Sequence, residues 1–553
     1  MAETQTNKRS VNTWDPLKHK VFRTLWIAAI VSNIGTWMQD IAGAWLMTSL
    51  SPTPLMVSLV QAAASLPMFL LLLPSGALAD LVNRRRLLFV SQSWMLLVAM
   101  ALSALTYFSL TTAWTLLLCI FLLGIGSAFT SPAWQAMIPD IVSEKQLPAA
   151  ISLGSVGMNL ARAIGPALAG LLISALGPAF VFLLNAISFL GVVLVLFRMP
   201  NPPVKENLQD ERVLGAIQAG LRYTRFSPDL HAVLIRSAAF FVGASALWAV
   251  FPLYVRQDLH LNALHYGLLI GFLGLGAVLG ATLLPQMHDK FSSRTTISFA
   301  IFIFSLFFII LAILKNFYVL CLVMFFAGTA WVTLLASFNV GIQKVLPPWV
   351  RARGLSVYQM VFFALFAFGS IIWGAVANAV GMSYTFLLAG GTLLVGHLFV
   401  RKLPLVYSET LNLSPSKHWP VPQIVDEPQP EQGPVLVTVT YRVSPDAAPD
   451  FMRAIKELGR SRRRDGAYQW GLFNDLAEPQ VYIESFMVQS WAEHMRQHER
   501  VTELDRTIEE RVLSFHEGNR PPRVHHFLAH TFTRNGRNAE SATNLVKVSL
   551  AHD

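Results

Sequence analysis

Charged residues are scarce in this sequence. Asp, Glu, Lys and Arg together make up 13% of its 553 residues, whereas hydrophobic residues make up 54%. A soluble globular protein carries about a quarter charged residues. The composition therefore argues against a soluble protein and favours one that is embedded in a membrane.

Cysteine is scarcer still. The chain contains two cysteines, Cys119 and Cys321, and both lie inside apolar runs. This number and placement argue against a disulfide framework and offer neither a ligand set for a metal nor a nucleophile. We therefore predict no cofactor, no metal site and no catalytic residue.

Acidic residues are fewer than basic ones, with a formal net charge of +10. Such an excess can indicate nucleic-acid binding, but its distribution does not, because residues 433–530 contain 13 basic and 14 acidic residues. The excess lies on short loops between apolar runs, so we predict no nucleic-acid partner.

The polar N-terminus precedes an apolar run that is too long for a signal peptide and has no cleavage site, so we predict no targeting segment.

Long apolar runs fill most of the first 400 residues. A helix needs about 20 largely apolar residues to cross a bilayer. Twelve such runs occur in two sets of six, near 24–49, 54–78, 87–109, 112–136, 148–175, 178–198, 231–255, 265–287, 295–314, 317–342, 354–379 and 383–400. The pattern predicts an all-α polytopic protein made of two six-helix bundles, as in duplicated transporters.

Basic residues gather on one side of these runs. They include Lys18, the "NRRR" of 83–86, Lys145, Lys290 and Arg351, whereas the other side offers little more than Arg256 and Lys315. Positively charged loops face the cytoplasm. We therefore expect a multi-pass protein of the bacterial inner or plasma membrane with both termini in the cytoplasm.

The hydrophobic period changes after residue 432. The order of strand-like and helix-like segments becomes β-α-β-β-α-β, which predicts a small ferredoxin-like α+β domain. The predicted organisation is a cytoplasmic tail (1–20), a first bundle (21–200), a connector (201–229), a second bundle (230–402), a linker (403–432), the ferredoxin-like domain (433–530) and a disordered tail (531–553). In the connector, Val213, Ile217 and Leu221 would form one apolar face of a surface helix.

Two ionisable residues stand deep inside predicted spans, Asp40 in the first and Arg162 in the fifth. A charge near the bilayer centre costs at least about 2.5–3.5 kcal/mol, so each should face a wet cavity or a partner. Their polar neighbours recur at helical spacing: Asn33, Thr36 and Trp37 with Asp40, and Ser155 and Asn159 with Arg162. We predict that the two charges interact directly or through water and that Asp40 couples transport to protons. The alternative is a static ion pair that fixes helix packing.

In the tenth span, Asn339 and Gln343 are one helical turn apart, so we count them as candidate cavity residues.

In the tail, the pair His494 and His498 has the spacing of a metal-binding pair, but no further ligand pattern joins it. A solvated helix face is the better interpretation of these histidines.

The loop "GALADLVNRRRLL" after the second span resembles the loop signature of the major facilitator superfamily. Gly76, Asp80, Arg84 and Arg85 match it, whereas Leu81 replaces a basic residue and Asn83 a glycine. The resemblance implies that Asp80 and the arginines latch a cytoplasmic gate. Ordinary marking of the cytoplasmic side is the alternative.

The fifth span, "ARAIGPALAG", is similar to the signature of superfamily exporters, matching at Gly165, Pro166 and Gly170. Proline removes a helix hydrogen bond and glycine admits a neighbouring backbone, so a bent, closely packed helix is expected. Residues 20–400 most resemble the secretion-effector branch, which includes the enterobactin exporter and macrolide efflux proteins. The tail resembles the dimeric α/β barrel of the antibiotic-biosynthesis monooxygenase type, which implies pairing through its sheet.

These observations predict an alternating-access exporter for a hydrophobic small molecule such as a siderophore, antibiotic or drug, driven as an antiporter by the proton gradient. Its partners would be that substrate, membrane lipid and a second copy of the C-terminal domain. The rival hypothesis is a membrane-anchored enzyme whose tail is a cofactor-free oxygenase. An anchor would not need Asp40 and Arg162 in mid-bilayer.

Overall fold

The computed structural model describes residues 13–199, 213–403, 411–422, 424–518 and 520–529. The expected disordered tail, most of the N-terminal tail, the first part of the connector and part of the expected linker lie outside these ranges.

The described part of the chain contains 12 helices that are long and apolar enough to cross a membrane. The first bundle is α1 (Lys20–Leu50), α2 (Pro54–Leu81), α3 (Arg84–Tyr107), α4 (Ala113–Ile141), α5 (Leu147–Leu176) and α6 (Pro178–Arg198), and α7 (Val213–Phe226) lies in the connector. The second bundle is α8 (Pro228–Gln257), α9 (Ala263–Lys290), α10 (Ser293–Ile313), α11 (Phe317–Val345), α12 (Arg351–Val380) and α13 (Met382–Val400). The predicted twelve spans are confirmed.

Local sequence signals explain where several helices begin and end. Asn83 accepts a hydrogen bond from the backbone N–H of Arg86 at 3.2 Å and caps α3, as short polar side chains do at helix starts. Gly177 separates α5 from α6 with a φ of +82°, and Gly381 separates α12 from α13 with a φ of +84°. Only glycine adopts this conformation without strain. The two glycines stand before the last helix of each bundle, which agrees with the duplication.

Aromatic side chains form much of the core of the second bundle. Phe240 of α8 contacts Phe304 of α10 and Trp331 of α11, with ring centroids 5.4 and 5.6 Å apart. Trp331 also lies 4.6 Å from Trp248. Packed rings of this kind hold the helices together beyond what their buried area contributes. In the first bundle, a buried hydrogen bond of 2.6 Å joins Asn185 of α6 to Gln39 of α1.

The tail forms a four-stranded antiparallel sheet covered by helices. Its elements are β1 (Val435–Arg442), α14 (Ala448–Asp465), β2 (Gln469–Asn474), β3 (Val481–Val488), α15 (Trp491–Arg500), α16 (Glu503–Leu513) and β4 (Arg523–Leu528), with strand order β2-β3-β1-β4. The expected small α+β domain is present, but its second helix is divided. The division falls at Val501, after which Thr502 caps α16 through a reciprocal hydrogen-bonding box with Asp505.

The chain divides into two compact units. The first contains both bundles, and the second contains the described residues from 411 onward together with Gln218–Pro228 and Leu346–Arg351. From residue 411 onward, the described part of the expected linker is anchored in the second unit, because His418 and Trp419 hydrogen bond to Glu509 of α16 at 2.7 and 2.9 Å. The folded tail therefore begins earlier along the chain than residue 433.

Candidate functional site

The candidate site begins with the packing of α1 against α5. The indole N–H of Trp26 donates to the carbonyl of Leu153 at 2.9 Å. One turn further along, Gly157 lies against Ile30, and Gly165 lies against Trp37. The nearest contacts at these three positions therefore join residues 127 or 128 apart in the sequence. The two helices run parallel and in register, which fixes the relative depth of their polar side chains.

Arg162 packs on an aromatic ring. Its guanidinium carbon lies 5.6 Å from the ring centroid of Trp37 on α1, within the range of a cation–π interaction. The side chain is half-buried. Gly165 makes this possible, because a Cβ there would lie 2.6 Å from the Cβ of Trp37. The sequence separation of Arg162 and Trp37 gave no hint of this contact.

Asp40 and Arg162 form no direct ion pair, and the predicted interaction through water stays a prediction. Among the described residues no acidic oxygen lies within 4.0 Å of the Arg162 guanidinium. The register explains why, since Arg162 stands level with residues 34 and 35 of α1. Asp40 lies about five and a half residues further on, which is about 8 Å at 1.5 Å per residue.

Asp40 lies inside α1, and its side chain is exposed. Five residues further on, the ring of Trp45 stacks on that of Tyr266 in α9 of the second bundle, with centroids 5.7 Å apart. The structure shows no hydrogen bond from Asp40 to any described residue. A carboxylate in this position is available to water, a proton or a substrate.

The remaining candidate polar residues differ in how they are satisfied. Thr36 and Ser155 donate to carbonyls of their own helices, so their hydroxyls are already used. Asn33 and Asn159 are half-buried and have no hydrogen-bond partner among the described residues. Asn339 and Gln343 hydrogen bond to each other at 2.5 Å on α11.

Glycines bring α5 and α9 into backbone contact across the two bundles. A Cβ on Gly170 would lie 2.6 Å from the carbonyl oxygen of Ala263, and a Cβ on Gly267 would lie 2.8 Å from the Cα of Gly170. Pro166 lies inside α5 and faces Gly267. The "GPALAG" stretch thus sits in the contact between the bundles, where small residues allow close approach.

The bundles also meet at the helix ends remote from the basic loops. We call the ends next to Arg23, Lys145 and Arg351 the basic ends, and the opposite ones the distal ends. There Arg256 of α8 donates to the hydroxyls of Thr48, at 3.0 Å, and Ser49. Its guanidinium carbon lies 5.4 Å from the ring centroid of Trp45. We name Arg256, Trp45, Thr48 and Ser49 the distal latch.

The contacts between the bundles lie away from the basic ends. The α5–α9 contact joins the bundles in the middle and the distal half of the spans, and the distal latch joins them at the distal ends.

The arginines of the loop signature have partners inside the first bundle. Arg84 donates to Asp140 at 2.8 Å and to the carbonyl of Ala136, and Arg85 donates to carbonyls of Leu196 and Phe197 at the end of α6. The side chain of Asp80 lies outside the described part of the chain. Sequence reasoning missed Asp140; its place at the basic end of α4, level with the "NRRR" loop, was the available signal.

Of the histidine pair on α15, His494 is buried and His498 is half-buried, so the interpretation as a solvated helix face is wrong. His494 is 1% exposed and lies on the inner face of α15, with its ring 5.0 Å from that of His498. Burial, with the neighbouring His498 and His526, lowers the pKa of His494 to about 3. Among the described residues no group of three or more His, Cys, Asp or Glu could hold a metal ion.

Two six-helix bundles that carry charged side chains within their spans are typical of membrane transporters. The chain matches the transmembrane secretion effector family over residues 11–534, and it belongs to that family of the major facilitator superfamily. Because the family and the relatives below are transporters, the chain is a transporter rather than an enzyme.

The multidrug efflux pump Tap of Mycolicibacterium fortuitum is 26% identical over 65% of this chain and 90% of its own length. The staphyloferrin A transporter of Staphylococcus aureus is 23% identical over 68% of this chain and 96% of its own length. Among solved structures, an inward-facing, unoccupied bacterial homologue of the human lysosomal transporter Spinster superposes with a TM-score of 0.59. It is 13% identical and covers 72% of this chain and 98% of its own.

Proposed function

We propose that this protein exports a hydrophobic small molecule from the cytoplasm by alternating access, in exchange for protons. One observation carries the proposal: Asp40 and Arg162 stand within the spans, and among the described residues neither has an ionic partner. Charges are tolerated there only where water or a partner reaches them.

The basic ends face the cytoplasm, because short loops rich in Lys and Arg stay on that side. Both termini are then cytoplasmic, and the membrane is the bacterial inner or plasma membrane. Closure at the distal latch makes this conformation inward-facing, ready to receive a cytoplasmic substrate. Opening the latch and closing the basic ends would release the substrate outside.

The coupling carboxylate in this proposal is Asp40. When it is charged, its pairing with a cation or with the nearby Arg162 through water favours one conformation; when it is protonated, that interaction is lost. The cation–π contact with Trp37 holds the Arg162 charge at a fixed depth. The two charges lie on different levels, so a substrate or water can enter between them.

The loop signature supports a cytoplasmic gate. Gly76, Asp80, Arg84 and Arg85 stand at the junction of α2 and α3, and the arginines tie this junction to α4 and α6. In the proposed cycle, this tied corner moves as a unit when the basic ends close.

A bulky, partly apolar substrate fits the aromatic lining best. Trp37 and Trp248 are both half-buried in the middle of the spans. Relatives described as a multidrug efflux pump and as a siderophore transporter favour siderophores, antibiotics and drug-like molecules as candidates.

The C-terminal domain is proposed to pair with that of a second copy through its sheet. The strand register places Phe473, Ile483, Met487 and Phe527 on one face. Phe473 is 60% exposed and Phe527 is 51% exposed. Mass measurement of the detergent-solubilised protein, with and without Phe527→Asp, tests this pairing.

The decisive experiment measures substrate efflux in inverted membrane vesicles with an imposed proton gradient. We expect Asp40→Asn to abolish the dependence on the gradient, while Glu144→Gln, an exposed loop carboxylate at the basic ends, leaves it intact. Transport by Asp40→Asn with an unchanged proton dependence would remove Asp40 from the coupling step. Candidate antibiotics and siderophores serve as substrates, each repeated after collapse of the gradient.

A further inference from the structure

The C-terminal unit contains two pieces of chain from the transporter part. One is Gln218–Pro228, the second half of the connector helix α7 up to the start of α8. The other is Leu346–Arg351, the turn between α11 and α12. Both pack with the tail as one compact unit, although the tail lies far from them along the chain.

Cation–π contacts hold these pieces. Three arginines of the tail each lie over a ring of the docked segments: Arg463 over Phe226 at 5.5 Å, Arg464 over Tyr223 at 5.4 Å and Arg500 over Trp349 at 4.6 Å. The rings of Tyr223 and Trp349 also meet edge to face, 5.7 Å apart. The connector and the turn therefore touch each other on the surface of the domain.

An ion pair also connects α7 to the tail. Arg222 of α7 donates to Glu493 of α15 at 2.9 Å, and Arg500 donates to the same carboxylate at 2.7 Å. Burial would raise the pKa of Glu493, but the surrounding arginines outweigh it and lower that pKa. The carboxylate therefore stays charged and remains a partner for Arg222 at neutral pH.

The docked face of α7 is not the face of Val213, Ile217 and Leu221. Tyr223 is 2% exposed, whereas Leu221 is 48% exposed. The side of the helix that carries Arg222 and Tyr223 is thus the side in contact with the domain. An amphipathic helix lying on a membrane would bury the opposite side.

We propose that this surface of the C-terminal domain is a docking site for the connector and the α11–α12 turn, and that docking regulates the conformational cycle. Chain continuity supplies the coupling, because Pro228 begins α8, Val345 ends α11 and Arg351 begins α12. A movement of these helix ends relative to one another must change the docking contacts. By linkage, loss of docking changes the equilibrium between inward-facing and outward-facing states.

The docking contacts are formed in the conformation whose distal latch is closed. They therefore stabilise this conformation relative to a conformation in which the docking contacts are broken. Undocked variants should therefore open outward more often. A cation–π contact of this kind corresponds to about a three- to thirty-fold change in the docking equilibrium.

The first measurement is hydrogen–deuterium exchange of the full-length protein in Arg222→Ala and Trp349→Ala. We expect exchange in residues 218–228 and 346–351 to rise about three- to thirty-fold. Arg460→Ala, which removes an exposed arginine of α14 outside the docked surface, is the matched control and should leave exchange unchanged. Equal exchange in all variants would overturn the docking site, and this readout requires no substrate.

The second measurement rests on the proposed alternating access and uses the same variants. A cysteine at Asn33 is labelled from outside by a membrane-impermeant maleimide, in a background without Cys119 and Cys321. Faster labelling in the undocked variants than in Arg460→Ala supports regulation by the domain. Raised exchange with unchanged labelling would show that the domain docks but does not regulate.

Discussion

Removing the distal latch should shift the transporter towards its outward-facing state. The guanidinium of Arg256 donates to Thr48 and Ser49 and lies over Trp45. A hydrogen bond from a charged donor contributes about 1.5–3 kcal/mol when buried, and an exposed cation–π contact contributes about 0.5–1 kcal/mol. Because Ser49 is exposed, water can replace part of the lost hydrogen bonding. We therefore expect Arg256→Ala to destabilise the conformation with a closed latch by about 1–2 kcal/mol.

That cost corresponds to about a five- to thirty-fold change in the ratio of the two states. A cysteine at position 33, labelled from outside on intact cells, reports the outward-facing fraction through its labelling rate. Arg256→Lys keeps the charge but loses the planar contact with Trp45, so it should be intermediate. Lys315→Ala removes the other basic residue of this side, which is exposed, and serves as control. Slower or unchanged labelling in Arg256→Ala would refute the latch.

Three further changes have defined outcomes. Gly267→Leu should impair efflux severely with normal expression of the protein, because even a Cβ there would lie 2.8 Å from the Cα of Gly170. Normal efflux in vesicle assays at matched protein levels would contradict the close α5–α9 contact. Asp140→Asn should slow transport about five-fold through loss of its ion pair with Arg84, and an efflux rate equal to that of the wild type would exclude a role at the gate. Burial lowers the pKa of His494 to about 3 in the folded tail. As the pH falls below about 6.5, this histidine therefore takes up a proton in the unfolded state but not in the folded one. The free energy of unfolding of the tail should fall accordingly, by about 2 kcal/mol at pH 5. Hydrogen exchange of the tail in the full-length protein at pH 7 and pH 5, compared with His494→Gln, measures this loss, and an equal pH effect in both proteins would contradict it.

The membrane architecture could be predicted from the sequence because it depends on local and additive properties. The length of each apolar run and the placement of the basic residues suffice for the number of spans and their expected orientation. The depth of Asp40 and Arg162 followed from the helical rise alone. The fold of the tail could be recognised from the change in hydrophobic period, although the break at Val501 could not.

The contacts of Asp40 and Arg162 could not be predicted in the same way, because they depend on the register between neighbouring helices. The glycines at 157 and 165 set α1 and α5 at one relative depth, which placed Arg162 on Trp37 and away from Asp40. Asp140 was overlooked because its partner Arg84 lies 56 residues away. The side of α7 that contacts the tail could not be predicted, because hydrophobic periodicity describes burial against lipid or an apolar core and not contacts with arginines.

By itself, then, the amino-acid sequence determined a twelve-span transporter with an appended α+β domain, because burial of apolar side chains and exclusion of charge act residue by residue. Only the tertiary structure decided which charges pair, which helices close the distal side and where the tail domain is attached. Those outcomes depend on distances between side chains far apart in the chain, and a few ångströms of helix register were enough to exchange an ion pair for a cation–π contact.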